Sequence, residues 1–535
     1  MTAPAGPGAT DADGLAIEFL GISKSFGPVQ ANRDIDLAVR RGTIHGIVGE
    51  NGAGKSTLMS ILYGFYQADT GEIRVNGRPT SIPDSLAAIR AGIGMVHQHF
   101  MLVEPFTVLE NVVLGAEGGA RLRPSLARAR AALKRLEREY ELDVDPDAVV
   151  GDLSVGLQQR VEILKALYRE CDILILDEPT GVLTPAEADH LFRILGHLKA
   201  QGKTIILITH KLREIMAVTD AVSVMRRGEM VRTLATSETS PAEIAELMVG
   251  RRVLLRVEKA PAVPGRTLLD VAGLRLVDEQ GVERLRSIGL QLRAGEILGV
   301  AGVAGNGQSE LLEVLAGIRP ATAGTVTLDG QALDLSRSTN ADDRRASGIA
   351  HIPEDRRRRG LVMPFAEWEN SCLGYQGEAQ FRGPALTLDR TAIRDQARAA
   401  IERFDIRPPS CDLKTANFSG GNQQKIVIAR EMERDPDVLL VGQPTRGVDI
   451  GAIEFIHRQI VALRDRGKAI LLVSVELDEI RALSDRIIVM FDGRISGERL
   501  AGETDERELG LLMAGIDPGE HAKIASNRIE LRGSD

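Results

Sequence analysis

Short aliphatic runs punctuate the chain at intervals that a helix can fill. Ile44 to Val48, Ile173 to Leu176 and Thr204 to Ile208 are mostly aliphatic throughout, the pattern of strands buried on both faces. Amphipathic stretches of helical period separate them, so the pattern predicts an α/β fold with a parallel sheet covered by helices. The segment Arg123 to Glu141 is rich in Ala, Leu, Arg and Glu at helical spacing and predicts a mostly helical insertion ahead of Ser154. No apolar run approaches the roughly 18 residues needed to span a bilayer. Candidates such as Ile205 to Ile208 and Ala469 to Val475 are short and read as buried strands, so any membrane role has to come through a partner.

The same pattern occurs twice. LSVGLQQR from Leu153 is echoed by FSGGNQQK from Phe418, and ILILDEPTGVLT from Ile173 by VLLVGQPTRGVD from Val438. Ser154 lies 23 residues before Asp177 and Ser419 lies 23 before Gly442; Asp177 to His210 and Gly442 to Val475 are both 33. Matching spacings predict two copies of one domain. The expected division is a lead-in over 1–14, a first domain over 15–250, a Pro-containing linker over 251–265, a second domain over 266–516 and a tail over 517–535.

Candidate chemistry begins after the first aliphatic run. Gly49-Glu50-Asn51-Gly52-Ala53-Gly54-Lys55-Ser56-Thr57 follows a strand and precedes the helical stretch LMSILYGF, the context a P-loop requires. Its glycines let successive backbone N–H groups face a polyphosphate, and the following helix presents its positive end to the same anion. Lys55 adds a full charge and Ser56 a magnesium ligand. Asp177 closes one aliphatic strand, where it can hold the magnesium hydration shell. Glu178 follows it, placed to orient and deprotonate an attacking water. His210 ends the strand ILITH and is placed to hold the γ-phosphate and that water.

With these residues in hand, the chain resembles the ATP-binding-cassette ATPases. Ser419-Gly420-Gly421-Asn422-Gln423 and its weaker copy Ser154-Val155-Gly156-Leu157-Gln158 look like that family's signature sequence. The resemblance runs from about Ile17 to Gly515. It implies two tandem P-loop (RecA-like) nucleotide-binding domains, each with a helical subdomain and a small antiparallel β subdomain. It further implies head-to-tail packing with ATP sandwiched between the halves, Phe26 stacking on adenine, and Gln98 binding magnesium and coupling it to transport. Each site is then composite, with Ser419, Gly420, Gly421 and Asn422 of the second half capping ATP held by the first.

The departures from the family pattern sort by site. Site one joins Gly49 to Ser56, Gln98, Asp177, Glu178 and His210 to the intact SGGNQ. Site two has Gln308 in place of the P-loop lysine, Glu354, Gly442, Gln443 and Val475 at the positions of glutamine, aspartate, glutamate and histidine, and the damaged signature SVGLQ. Random decay would scatter substitutions over both sites, so this concentration supports composite pairing. No aromatic occurs between Leu268 and Gln308, leaving the second half without an evident adenine platform. Site two is expected to hydrolyse negligibly.

Composition changes this picture little. Lys+Arg 66 against Asp+Glu 75 leaves a net charge of −9, which argues against broad affinity for nucleic acid or anionic lipid. Cys171, Cys372 and Cys411 lack metal-ligand spacing. Met1 to Gly14 lacks the basic start and apolar core of a secretory signal. Two fused halves with one lesioned site resemble the ATPases of bacterial importers for nucleosides and simple sugars, and MVHQHFMLVEPFTVLENVVLG, IPEDRRRRGLV and QPTRGVD resemble the nucleoside branch more. That resemblance implies ATP and Mg2+ as cofactors. As partners it implies two integral-membrane permeases and an extracytoplasmic substrate-binding protein, with this chain peripheral on the cytoplasmic face. Alternatives are a ribose or galactose importer ATPase and, more remotely, a ribosome-associated tandem ATPase, which would carry a long basic arm between intact halves. Arg356 to Arg359 is expected either to face permease or nucleotide or to be a solvated basic loop.

Overall fold

The computed structural model describes residues 14–516, apart from 28, 98–100, 116–121, 141, 181–182, 184, 253–257, 304, 337–340, 385–386 and 449. The chain forms two compact units, Met1–Val253 and Leu254–Asp535.

The core of the first unit is a six-stranded sheet ordered Glu229–Ala235, Ala221–Arg226, Ile44–Gly49, Thr204–Ile208, Ile173–Asp177, Ile93–Val96. All neighbours are parallel except the first pair, which is antiparallel. Ile44–Gly49 and Thr204–Ile208 are buried along their whole length. This explains their aliphatic sequence: a strand covered on both faces has no polar side to show. In-register pairing of Ile44 with Ile205 and of Ile173 with Thr204 brings the C-terminal ends of these strands to one edge, the edge where α/β sheets bind ligands.

A smaller antiparallel sheet is ordered Val29–Arg40, Leu15–Phe26, Thr70–Val75, Arg78–Pro79. Its inward residues Ile17, Phe19, Ile35, Leu37 and Val39 share a core with Leu58, Met59 and Leu62 of the helix Lys55–Leu62. The helices Val108–Val113, Leu122–Tyr140 and Val155–Tyr168 pack on one another as a helical subdomain. A Thr107/Glu110 capping box starts the first of them.

The second unit repeats the arrangement. Its six-stranded sheet is ordered Ile349–Ile352, Val438–Gly442, Ala469–Val473, Ile297–Ala301, Arg486–Phe491, Arg494–Leu500, the same sequence of positions read from the other end. Its small antiparallel sheet is ordered Glu283–Arg293, Thr267–Val277, Ala323–Leu328, Gln331–Ala332. Glu367–Ser371, Arg390–Arg403 and Gly420–Met432 form its helical part. Part of the segment expected to link the halves packs on this unit: the Lys259 ammonium donates to the Leu483 carbonyl at 2.9 Å and to Asp485, and buried Arg464 donates to the Ala260 carbonyl. No helix among the described residues is long and apolar enough to cross a membrane.

Candidate functional site

The first unit's site is built on the strand ends. Strand Ile44–Gly49 delivers the P-loop, and the helix Lys55–Leu62 starts directly behind it with Gly54 as its N-cap. Gly54 has φ of +101°, and a Cβ there would lie 2.4 Å from the Ala31 carbonyl oxygen and 2.6 Å from Asn32 Nδ2. Only glycine fits both the dihedral and the space. The loop thus comes against the small sheet, where Asn32 Nδ2 donates to the Gly54 carbonyl at 3.1 Å. Lys55 is buried and its ammonium donates to the carbonyls of Gly49 at 2.7 Å and Glu50 at 3.0 Å. Burial lowers its pKa, against the opposing pull of Glu178, Asp177 and Glu50. Asn51, Gly52 and Ser56 are exposed along the loop, and Ala53 is buried beneath it.

Asp177 ends its strand within hydrogen-bond reach of Ser56; burial and the adjacent Glu178 push its carboxyl up to about 6, while Lys55 and Ser56 oppose the rise. Ser56 and Asp177 thus stand together as a hydroxyl and a carboxylate, the oxygen donor set that suits Mg2+. Glu178 adopts φ of +47°, and its N–H donates to the Ile208 carbonyl at 2.8 Å. Such a dihedral costs about 1–3 kcal/mol in a non-glycine residue. His210 Nδ1 lies 2.9 Å from Glu178 Oε1, and that hydrogen bond holds the glutamate below the usual carboxylate range, overcoming its desolvation. Glu178 is therefore ionised at neutral pH and able to accept a proton. Gln98 lies outside the described residues.

Phe26 is 42% exposed and meets Tyr66 edge-on at 5.0 Å between ring centroids, with the Lys24 ammonium 5.6 Å from its ring. This exposed aromatic pair beside the P-loop unit's small sheet is a surface on which a base can stack. Tyr66 was not singled out by the sequence. Nor was Asn32, whose signal was a buried polar residue among the otherwise apolar inward positions of QANRDIDLAV.

In the second unit, Ser419 caps the helix Gly420–Met432: its Oγ accepts from Asn422 N–H at 3.4 Å and from Asn422 Nδ2 at 2.8 Å. Gly420 is pressed from two sides. A Cβ there would lie 2.6 Å from Arg356 Nη2 and 2.7 Å from the Gly447 carbonyl. Arg356 Nη1 donates to the Arg446 carbonyl at 2.7 Å, so this arginine ties its own segment to the loop QPTRGVD and lies against the start of the signature helix. Arg359 pairs with Glu313, and Asp355 accepts from the N–H groups of Arg357 and Arg358, which are exposed. The four arginines therefore do not act alike: two are tied into the unit and two face solvent.

The second unit's own strand ends keep the backbone and lose the groups. Gly307 has φ of +99° at the start of the helix Gln308–Leu315. Gln308 is buried and donates to the Val303 carbonyl at 3.1 Å. Gln443 retains φ of +47° and the matching N–H bond to the Val473 carbonyl at 2.8 Å. Its Oε1 accepts from the Val475 N–H at 3.3 Å.

Two units with this sheet order, each with a P-loop at the C-terminal edge, define a duplicated P-loop nucleotide-binding protein. The ABC transporter model matches residues 32–181 and 285–446, more than half of the chain, and the chain belongs to that family, an ATP-binding ATPase of the transport type. The guanosine import ATP-binding protein NupO of Bacillus subtilis strain 168 is 48% identical over 95% of this chain and 99% of its own length. The nucleoside import ATP-binding protein NupA of Lactococcus lactis subsp. cremoris is 45% identical over 94% and 99%. The glucose import ATP-binding protein TsgD13 of Haloferax volcanii is 46% identical over 92% and 94%. Among solved structures, a complex of an archaeal ribosomal stalk protein with an archaeal ribosome recycling factor matches with a TM-score of 0.56 over 89% of both chains at 20% identity, a likeness of fold alone.

Proposed function

We propose that this protein is the ATP-hydrolysing subunit of a nucleoside importer, working with two integral-membrane permeases and an extracytoplasmic binding protein at the cytoplasmic face of the membrane. The observation that carries the cargo is identity of 48% and 45%, over nearly full length, to two import ATP-binding proteins named for guanosine and nucleosides. In this reading Gly49 to Thr57 cradle the triphosphate, Ser56, Asp177 and Gln98 hold Mg2+, and Phe26 stacks on the base. Glu178 accepts the proton of the attacking water while His210 fixes the glutamate's orientation, and Ser419, Gly420, Gly421 and Asn422 cap the γ-phosphate. This reading keeps the expected division into a first domain over 15–250 and a second over 266–516.

Monosaccharide import is a second reading, favoured by the 46% identity to a glucose import protein. Uptake of labelled nucleosides, ribose and glucose by cells carrying the wild-type chain or its Glu178→Gln variant at matched protein levels separates the two. Selective loss of nucleoside uptake is expected; loss of sugar uptake alone would transfer the assignment, and no loss of any would remove the transport role.

A further inference from the structure

In the first unit the turn that carries Glu178 is held at the two residues that follow it. Pro179 and Thr180 are both buried. The Pro179 carbonyl accepts from Gln159 Nε2, on the helix Val155–Tyr168, at 2.8 Å, and the Thr180 hydroxyl donates to Glu214 Oε1. Glu214 is 5% exposed and stands in the first turn of the helix Leu212–Val218, four residues after His210. The hydroxyl of Thr209, the residue before His210, stabilises the same carboxylate. One buried side chain thus meets both strand-end turns, that of Glu178 and that of His210.

The second unit, which lacks the base and the histidine, arranges the same positions differently. Glu479, Thr445 and Gln424 stand where Glu214, Thr180 and Gln159 do, each 265 residues further on. Glu479 turns instead to the helix Ile450–Asp465, where its Oε1 lies 2.8 Å from His457 Nε2, and the buried Gln424 Nε2 has no hydrogen-bond partner. The backbone turn survives without these tethers, because Gln443 keeps φ of +47° and its N–H bond to the Val473 carbonyl. Folding the turn therefore does not require them. They are present where a carboxylate and a histidine have to meet, and absent where neither remains.

We propose that Glu214 is a positioning residue for ATP hydrolysis: by holding Thr180 on one side and the turn of His210 on the other, its carboxylate fixes Glu178 and His210 at their 2.9 Å separation. The inference rests on the reading of Glu178 as the group that accepts the proton of the attacking water. A base is effective only while its carboxylate stands where that proton leaves, and a misplacement of about 1 Å can cost about 100-fold in rate. A buried hydrogen bond between side chains gives such support, because breaking it leaves a desolvated carboxylate uncompensated. Glu214 acts through Thr180 and His210 rather than on nucleotide, so its loss should lower the rate and spare binding.

The test is steady-state hydrolysis by the full-length chain against ATP concentration. Thr180→Val removes the donor at nearly constant shape and Glu214→Ala removes the acceptor. Each is expected to lower kcat about 10- to 100-fold while the KM for ATP stays within about twofold. Glu214→Gln keeps an acceptor and Thr180→Ser a donor, and both should return kcat to within about threefold of wild type. Because the two losses break one link, combining Glu214→Ala with Thr180→Val should cost no more than about threefold beyond the slower single variant. Glu479→Ala removes a carboxylate that is equally buried, at 6% exposed, and should leave kcat within about twofold. A thermal scan of each variant reads folding independently, and Thr180→Val carries the test if Glu214→Ala does not fold. Unchanged kcat in Thr180→Val, no recovery in the Gln and Ser variants, or an equal loss in Glu479→Ala would overturn the proposal. Glu178→Gln in the same series separates the failures: hydrolysis that survives it defeats the base itself, whereas its loss beside an unchanged Thr180→Val defeats only the positioning role.

Discussion

The strand-end turns of the two units differ by one functional group on an identical frame. Glu178 and Gln443 share φ of +47° and an N–H bond of 2.8 Å to the neighbouring strand, yet only Glu178 is a carboxylate and only it meets a histidine. The strained turn therefore belongs to the fold, and the chemistry is added to it. A unit can lose its base, its lysine and its histidine without losing the loop that would hold phosphate. What differs is where protons and metal charge can be placed, not how the chain runs.

If that reading holds, matched substitutions must have unmatched effects. The largest difference is expected at the P-loop cation. Lys55→Ala should raise the KM for ATP by about 10- to 100-fold, the loss of a charged hydrogen-bonding contact of about 1.5–3 kcal/mol, whereas Gln308→Ala should leave that KM within about twofold. Steady-state hydrolysis against ATP concentration checks both, and comparable effects would erase the distinction between units.

A smaller effect is expected in pH dependence, and only the first unit should show it. Asp177 sits at about 6 because burial and Glu178 oppose its ionisation. Metal needs the carboxylate form, so Mg2+ affinity at this site should weaken by about tenfold per unit as pH falls below 6 and level off above it. The sign for folding is opposite. The folded pKa lies above the unfolded value of 3.8, so the metal-free fold binds this proton more tightly, and the stability it adds is lost as pH rises from there through about 6. Mg2+-dependent nucleotide binding across pH 5 to 8, with Asp177→Asn as the control lacking the inflection, checks the first statement.

Much of this contrast was legible in the sequence because it is carried by short-range pattern. Aliphatic runs gave the buried strands, spacings of 23 and 33 residues repeated between halves gave the duplication, and the run Gly49 to Thr57 gave the P-loop. What stayed hidden depends on side chains crossing between elements. Glu354 stood out only as a substitution at a glutamine position; its reach past Gly442 to Ser309 runs between neighbouring strand ends, which no spacing along the chain encodes. Arg356 read as one of four alike arginines, and its latch to Arg446 spans 90 residues. Asn32 was masked by the alternation of its strand, where a polar residue facing inward looks like a lapse until the Gly54 carbonyl is seen above it.

The central claim is that hydrolysis belongs to one unit's carboxylate, and the most direct measurement is the steady-state ATPase rate of Glu178→Gln beside that of Gln443→Glu. The account predicts that the first loses about 10²- to 10⁴-fold in kcat, the value of a general base. The second should gain nothing, because Val475 supplies no histidine and Gln308 no lysine. Substantial hydrolysis by Glu178→Gln, or a rise in Gln443→Glu, would contradict it.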